Sequence, residues 1–222
     1  MIQLILKRKR RSDSVKKGNL ITYSNPDSLV SDQFRAIRTN IKFLTEKRNN
    51  RLFIITSPSE GEGKSITTAN LAVSMAQQKE KVLLIDANVR EPVIHEIFRI
   101  PNELGLTSIL TGKAKLENAI QRTGIGKLEI LTSGATLFNP AELLGNEQMT
   151  NLLRTISELY DIVLIDSPSV LESTETRVLA NQCDGVVLVV NRGKTDIEKT
   201  IESRRVLELA HARLVGAIIN EK

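Results

Sequence analysis

Tryptophan is absent from these 222 residues, aromatic side chains make up only 3%, and there are two histidines and one cysteine. A single thiol, Cys183, permits no disulfide within the chain and suits a reducing compartment. Its setting, Asn181-Gln182-Cys183-Asp184-Gly185 ahead of an apolar run, reads as a small buried residue rather than a nucleophile. His95 and His211 fall away from the carboxyl ends of the expected strands, which leaves imidazole acid–base chemistry without a site. No Cys/His spacing matches a metal centre. No apolar run approaches the roughly 20 residues that cross a bilayer. The opening Met1-Ile2-Gln3-Leu4-Ile5-Leu6 precedes its positive charges instead of following them, unlike a secretory signal. The expectation is a cytoplasmic protein.

The formal charge is +5 and the pI near 9.4. Seven basic residues, Lys7, Arg8, Lys9, Arg10, Arg11, Lys16 and Lys17, stand against Asp13 within the first 17 positions, a local +6 that leaves the rest of the chain near −1. The basicity therefore belongs to an N-terminal arm, read as flexible residues 1–20, and not to a nucleic-acid-binding body. Such an arm fits anionic lipid headgroups, an acidic partner segment, or simply solvent. Residues 21–222, in a chain with 41% hydrophobic content, suffice for one α/β domain with a sizeable core and are short for two.

What the chain does have is a series of continuous apolar, β-branched runs at 52–56, 82–86, 128–134, 162–166, 186–190 and 215–220. Helical periodicity fills 28–45, 65–79, 146–159, 174–182 and 196–211. Unbroken apolar strands alternating with helices predict a mostly parallel central sheet covered on both faces. In such sheets ligands bind beyond the carboxyl ends of the strands, so residues that end strands carry the functional weight.

The first run feeds Ser57-Pro58-Ser59-Glu60-Gly61-Glu62-Gly63-Lys64-Ser65 and then a helix. Strand, glycine-bearing loop and helix in this order make a phosphate-binding loop of the P-loop NTPase fold, although Pro58 stands where the usual pattern has its first glycine. Backbone N–H groups around Gly61, Glu62 and Gly63 and the positive end of the helix would face a di- or triphosphate. Lys64 reaches the β/γ oxygens and Ser65 is a Mg²⁺ ligand by the motif's mechanics. Asp86 and Asp166 each end a run of four apolar residues, where a charge is tolerable only at the sheet edge that faces the ligand. Both are Mg²⁺ candidates, and Asp166, followed by Ser167-Pro168, has the form of a Walker B aspartate.

Several ordered motifs then resemble one family. Asp86-Ala87-Asn88-Val89-Arg90 is similar to a Walker A′ motif, 31–43 to an E-x-x-R-x-x-R oligomerisation helix, and 131–144 to a T-x-G-x-x-P-x-N-P-x-E-L-L segment; 105–110 and 214–220 fit as well. Together they resemble the bacterial tyrosine kinases, P-loop proteins related to the deviant Walker ATPases. The resemblance implies ATP and Mg²⁺ as cofactors, transfer to protein tyrosine, and Lys64, Asp86 and Asp166 as catalytic residues. It further implies Asn220 at the adenine, a homo-oligomeric ring built with Asp32, Arg35 and Arg38, and a membrane-embedded chain-length regulator of capsule or exopolysaccharide export as partner. That partner would hold the chain at the inner face of the membrane. Arg90 would pair with phosphate or form a structural salt bridge.

Three departures stand out. Asn88 replaces the family's second aspartate and cannot accept a proton; Asp32 is one methylene shorter than the family's glutamate; and the tyrosine cluster usual at the family's C-terminus is missing. Only Tyr23 and Tyr160 remain. Tyr160 reads as a packing residue and Tyr23 as accessible. Two rival readings are a nucleotide-binding scaffold with weak catalysis and a positioning or partition ATPase. The latter carries a signature lysine at the place of Ser59.

Overall fold

The computed structural model describes residues 2–7, 20–46, 52–135 and 139–221. The elements in chain order are β1 (Ile2–Lys7), α1 (Ile21–Ser24), α2 (Leu29–Glu46), β2 (Leu52–Thr56), α3 (Lys64–Ala76), β3 (Val82–Asp86), α4 (Ile94–Phe98), α5 (Leu106–Leu110), α6 (Leu116–Ala119), β4 (Ile120–Arg122), β5 (Leu128–Leu131), α7 (Pro140–Leu144), α8 (Glu147–Leu159), β6 (Ile162–Asp166), α9 (Thr174–Ala180), β7 (Gly185–Asn191), α10 (Ile197–Leu209) and β8 (Leu214–Glu221). The strands form one sheet in the order β1-β8-β7-β2-β6-β3-β5-β4, parallel except for the β4–β5 pair.

The unbroken apolar runs are explained by the two cores they serve. On β2, β3 and β6, Ile54, Leu83, Ile85, Val163 and Ile165 face one side, where α5, α8, α9 and α10 contribute Leu106, Ile156, Leu179 and Leu207. Their neighbours Phe53, Ile55, Leu84, Ile162 and Leu164 face the other, under Phe34, Ile37 and Ile41 of α2, Leu71 and Met75 of α3, and Ile94 of α4. With alternate side chains buried on opposite faces, no polar residue has a place until the strand ends.

Helix α3 is buried along all of its length except Ile66, because it is sandwiched between the sheet and α2. Its inward polar groups are consequently paired. Asn70 Oδ1 accepts from the Thr22 N–H and hydroxyl, both at 3.0 Å. Arg38, only 7% exposed, donates through Nη1 to the Ser74 carbonyl and lies 3.3 Å from the Ser74 hydroxyl.

Three features depart from the sequence-based expectation. Residues 2–7, assigned above to a flexible arm, pair in parallel with Gly216–Glu221 as an edge strand, which covers backbone groups that β8 would otherwise leave open. The basic positions 8–11, 16 and 17 lie outside the described residues. The short antiparallel β4 and the one-turn helices α1, α4, α5, α6 and α7 carry too little periodicity to be seen in sequence. The strand expected over 128–134 ends at Leu131, and positions 136–138 of the segment that follows lie outside the described residues.

The burial of Arg38 predicts that Arg38→Met lowers the free energy of urea unfolding by about 1–3 kcal/mol, the cost of stranding the Ser74 carbonyl without its charged donor. By contrast, Asp32→Ala, which removes an exposed ion pair with Arg35 on the same helix, costs less than about 1 kcal/mol in the same measurement.

Candidate active site

Strand β2 lies between β6 and β7, so the loop leaving it rises at the centre of the carboxyl edge. Its base is tied down from the β6 side. The Val170 N–H donates to the Ser57 carbonyl at 2.9 Å, and the Thr56 hydroxyl to the Pro168 carbonyl at 2.7 Å. Gly61 and Gly63 take left-handed φ values of 71° and 87°, and α3 starts at Lys64 directly behind them. Gly63 is thus the N-cap in a conformation that a side chain would disfavour.

Parallel pairing of β3 with β6 places Asp86 opposite Asp166 in register, and both carboxylates are completely buried. Their surroundings differ. Asp86 Oδ1 accepts from Asn88 N–H at 3.1 Å, and Oδ2 from Val93 and Ile94 N–H at 3.1 and 3.0 Å, so this side chain also shapes the turn into α4. Asp166 Oδ1 lies 3.1 Å from the Thr68 hydroxyl, while its buried Oδ2 has no hydrogen-bond partner among the described residues. Burial, then the neighbouring Asp166 charge, push the Asp86 carboxyl well above the usual carboxylate range against the three backbone donors. Burial raises Asp166 too, against the opposing pull of Lys64, Ser65 and Thr68.

A buried carboxylate oxygen that receives no hydrogen bond, beside a serine hydroxyl, offers the oxygen ligands suited to a hard cation or its water shell. The residues present therefore fit Mg²⁺, with Ser65, Asp86 and Asp166 around it. In front of them opens a cavity of about 350 Å³ lined by Glu60, Gly61, Lys64, Ser65, Asn88 and the turn Glu91–Val93. The two aspartates are not part of that lining. Asn88 Oδ1 accepts from Glu91 N–H at 3.3 Å, a bond between two residues of that lining.

The other expected residues are distributed as follows. Asn220, at the end of β8, donates through Nδ2 to the Glu62 carbonyl at 3.0 Å. Arg90 pairs at 2.7 Å with Glu175, itself held by Ser173, so its guanidinium ties the Walker A′ loop to α9. Asp32 and Arg35 bond each other on the exposed side of α2, whereas Arg38 points inward to α3. Tyr160 is buried with its hydroxyl on Glu129 at 2.7 Å, and burial followed by that carboxylate raises its pKa. Tyr23 is 60% exposed. Two partners of these side chains escaped the sequence reading. Thr68 follows Lys64 by one helical turn, a spacing that was legible; Glu175 gave no signal, since its partner Arg90 is 85 positions away.

A lysine-bearing phosphate loop facing two strand-end aspartates defines the class as a P-loop nucleotide-binding protein. Comparison with known proteins narrows it. Residues 20–202 match a family model described as AAA domain. Tyrosine-protein kinase YwqD of Bacillus subtilis (strain 168) is 43% identical over 215 residues, which cover 97% of this chain and 90% of that one. The kinase domain of the Escherichia coli tyrosine kinase ETK superposes with a TM-score of 0.90 at 31% identity, covering 99% of this chain and 88% of that one. The septum site-determining protein MinD of Pyrococcus horikoshii, complexed with Mg-ADP, superposes with a TM-score of 0.66 at 27% identity over 77% of this chain and 70% of that one. The chain belongs to the bacterial tyrosine-protein kinase family.

The buried acidic pair yields a prediction with a sign. A carboxyl whose pKa is higher folded than unfolded binds protons more tightly in the folded state, so metal-free stability falls as pH rises from about 4 through the raised range. In EDTA, Asp166→Asn is expected to unfold at a higher temperature than the parent at pH 8, with the gap closing towards pH 5. The same variant loses the stabilisation that Mg·ADP gives the parent; calorimetric melts with and without Mg·ADP check both.

Proposed function

We propose that this protein is an ATP- and Mg²⁺-dependent protein-tyrosine kinase that regulates capsule or exopolysaccharide synthesis and export together with a membrane-embedded chain-length regulator. The observation that carries this reading is the meeting, at one sheet edge, of the Lys64–Ser65 loop and the in-register pair Asp86 and Asp166 in a chain of this family. Mg²⁺, when bound, neutralises charge on the β- and γ-phosphoryl oxygens. Ser65, Asp86 and Asp166 would hold it, directly or through water.

Lys64 and the amides of Gly61, Glu62 and Gly63 cradle the phosphates, in place before charge builds up on the γ-phosphoryl group. A tyrosine hydroxyl, with a pKa of about 10, must lose its proton as it attacks. Asp86 is assigned to take that proton, as one of the two carboxylates at the sheet edge beside the loop of Lys64 and Ser65. Asn88, which lines the cavity, orients groups there but accepts no proton. Asp32, exposed, and Arg35, partly exposed, lie on α2 and are assigned to contacts between subunits of a ring, with Arg38 bracing that helix from within. The adaptor holds the assembly at the inner face of the membrane; no helix among the described residues is long and apolar enough to cross one.

Incubation with ATP·Mg²⁺, a peptide of the adaptor's cytoplasmic tail and a tyrosine-bearing acceptor is expected to give phosphotyrosine by mass spectrometry, at least about 100-fold less with Lys64→Met. Phosphate on the chain itself is expected on Tyr23 and not on Tyr160. ATP binding without any transfer to tyrosine would replace this reading with the scaffold, and hydrolysis stimulated by lipid or DNA with the partition ATPase. Asn88→Asp, by restoring a second carboxylate, is expected to raise the single-turnover transfer rate by about tenfold.

A further inference from the structure

The inner side of the phosphate loop is made of backbone amides, and its outer side is held by two side chains from the far end of the chain. Lys194, in the connection from β7 to α10, donates through Nζ to the Glu60 carbonyl at 2.7 Å. Asn220, on β8, donates through Nδ2 to the Glu62 carbonyl at 3.0 Å. Both contacts are close. A Cβ added to Gly61 would lie 2.6 Å from Lys194 Nζ, and one added to Gly63 would lie 2.4 Å from Asn220 Nδ2.

A trans peptide unit carries its C=O and N–H on opposite sides, and no cis bond occurs among the described residues. The Glu60 carbonyl shares its peptide plane with the Gly61 N–H, and the Glu62 carbonyl shares its plane with the Gly63 N–H. Fixing each carbonyl outward therefore turns each N–H inward. The alternating left-handed glycines give these amides the concave arrangement that suits an anion. Two neighbouring loop amides are spent internally: Ser59 N–H donates to Glu62 Oε1 at 3.2 Å and Glu60 N–H to Glu172 Oε2 at 3.1 Å. Gly61 and Gly63 N–H have no protein acceptor among the described residues.

We propose that Lys194 and Asn220 are positioning residues that pin alternate peptide planes of the loop from outside and so orient the Gly61 and Gly63 N–H groups for phosphate. The proposal rests on the nucleotide-binding part of the function above. It gives Asn220 a task different from reading the adenine edge, and gives a task to Lys194, which no motif marks. The loop is thereby preorganised, so that less ordering is left for the ligand to impose.

Titration calorimetry with Mg·ATP and with Mg·tripolyphosphate, which has no base, tests it on the full chain. Lys194→Met and Asn220→Leu are expected to weaken both ligands by about three- to tenfold, the effect of losing one charged or neutral hydrogen bond. Lys194→Gln, a neutral donor, is expected to recover most of the loss. Lys194 is exposed, so its variants fold, and Asn220→Ser serves where the leucine variant does not. Unchanged affinity in the Lys194→Met and Asn220 variants would overturn the proposal. So would an equal loss in Lys194→Gln and Lys194→Met, which would mean charge attraction without pinning. A loss of ATP affinity in the Asn220 variant with tripolyphosphate binding intact would return that residue to the adenine. A parent protein that binds neither ligand, with Lys64→Met no different, would instead remove the nucleotide-binding reading itself.

Discussion

Two buried carboxylates, side by side at the ends of adjacent parallel strands, are the constraint around which the rest of this molecule is arranged. Asp86 and Asp166 occupy paired positions with no solvent, at a cost that the fold offsets in different ways for each. Three backbone N–H groups stabilise Asp86, and the same bonds bend the chain into α4 and give Asn88 its place on the cavity. For Asp166 the compensation comes from Thr68, Lys64 and Ser65 on α3, with one oxygen left unpaired. That asymmetry leaves Asp166, and not Asp86, with a carboxylate oxygen free of hydrogen bonds among the described residues.

Helix α3 is therefore more than the support of a phosphate loop. Its first five residues supply the groups that balance Asp166, and the remainder is locked by polar ties to α1 and α2 through Asn70 and Ser74. Arg38 joins the helix assigned to subunit contacts to the helix that carries Lys64. Arg90 and Glu175 form a comparable link between the Walker A′ loop and α9.

Much of the site was legible in the sequence for a simple reason. A charged residue after four apolar ones has only the sheet edge to go to, and a Gly-x-Gly-Lys-Ser run between strand and helix has one mechanical use. Thr68 belonged to the same helical turn pattern and was within reach of that reasoning. Residues 2–7 were not, since an edge strand is short, depends on a partner more than 200 positions away, and sits beside a charge cluster that dominates the local composition. The roles of Arg38, Glu175 and Lys194 were also beyond sequence reasoning, because each depends on a partner brought near by packing.

The sequence by itself determined the class of fold, the order of the main strands and longer helices along the chain, the phosphate loop, and which aspartates end strands, because these follow from local periodicity and from the cost of burying charge. Tertiary structure alone decided that Asp86 and Asp166 stand in register, that one is saturated by backbone donors while the other keeps a free oxygen, and that Asn220 and Lys194 reach the back of the loop. Such relations depend on strand order and on the rotation of side chains within a packed interior. Neither is encoded in the spacing of residues along a single stretch of chain.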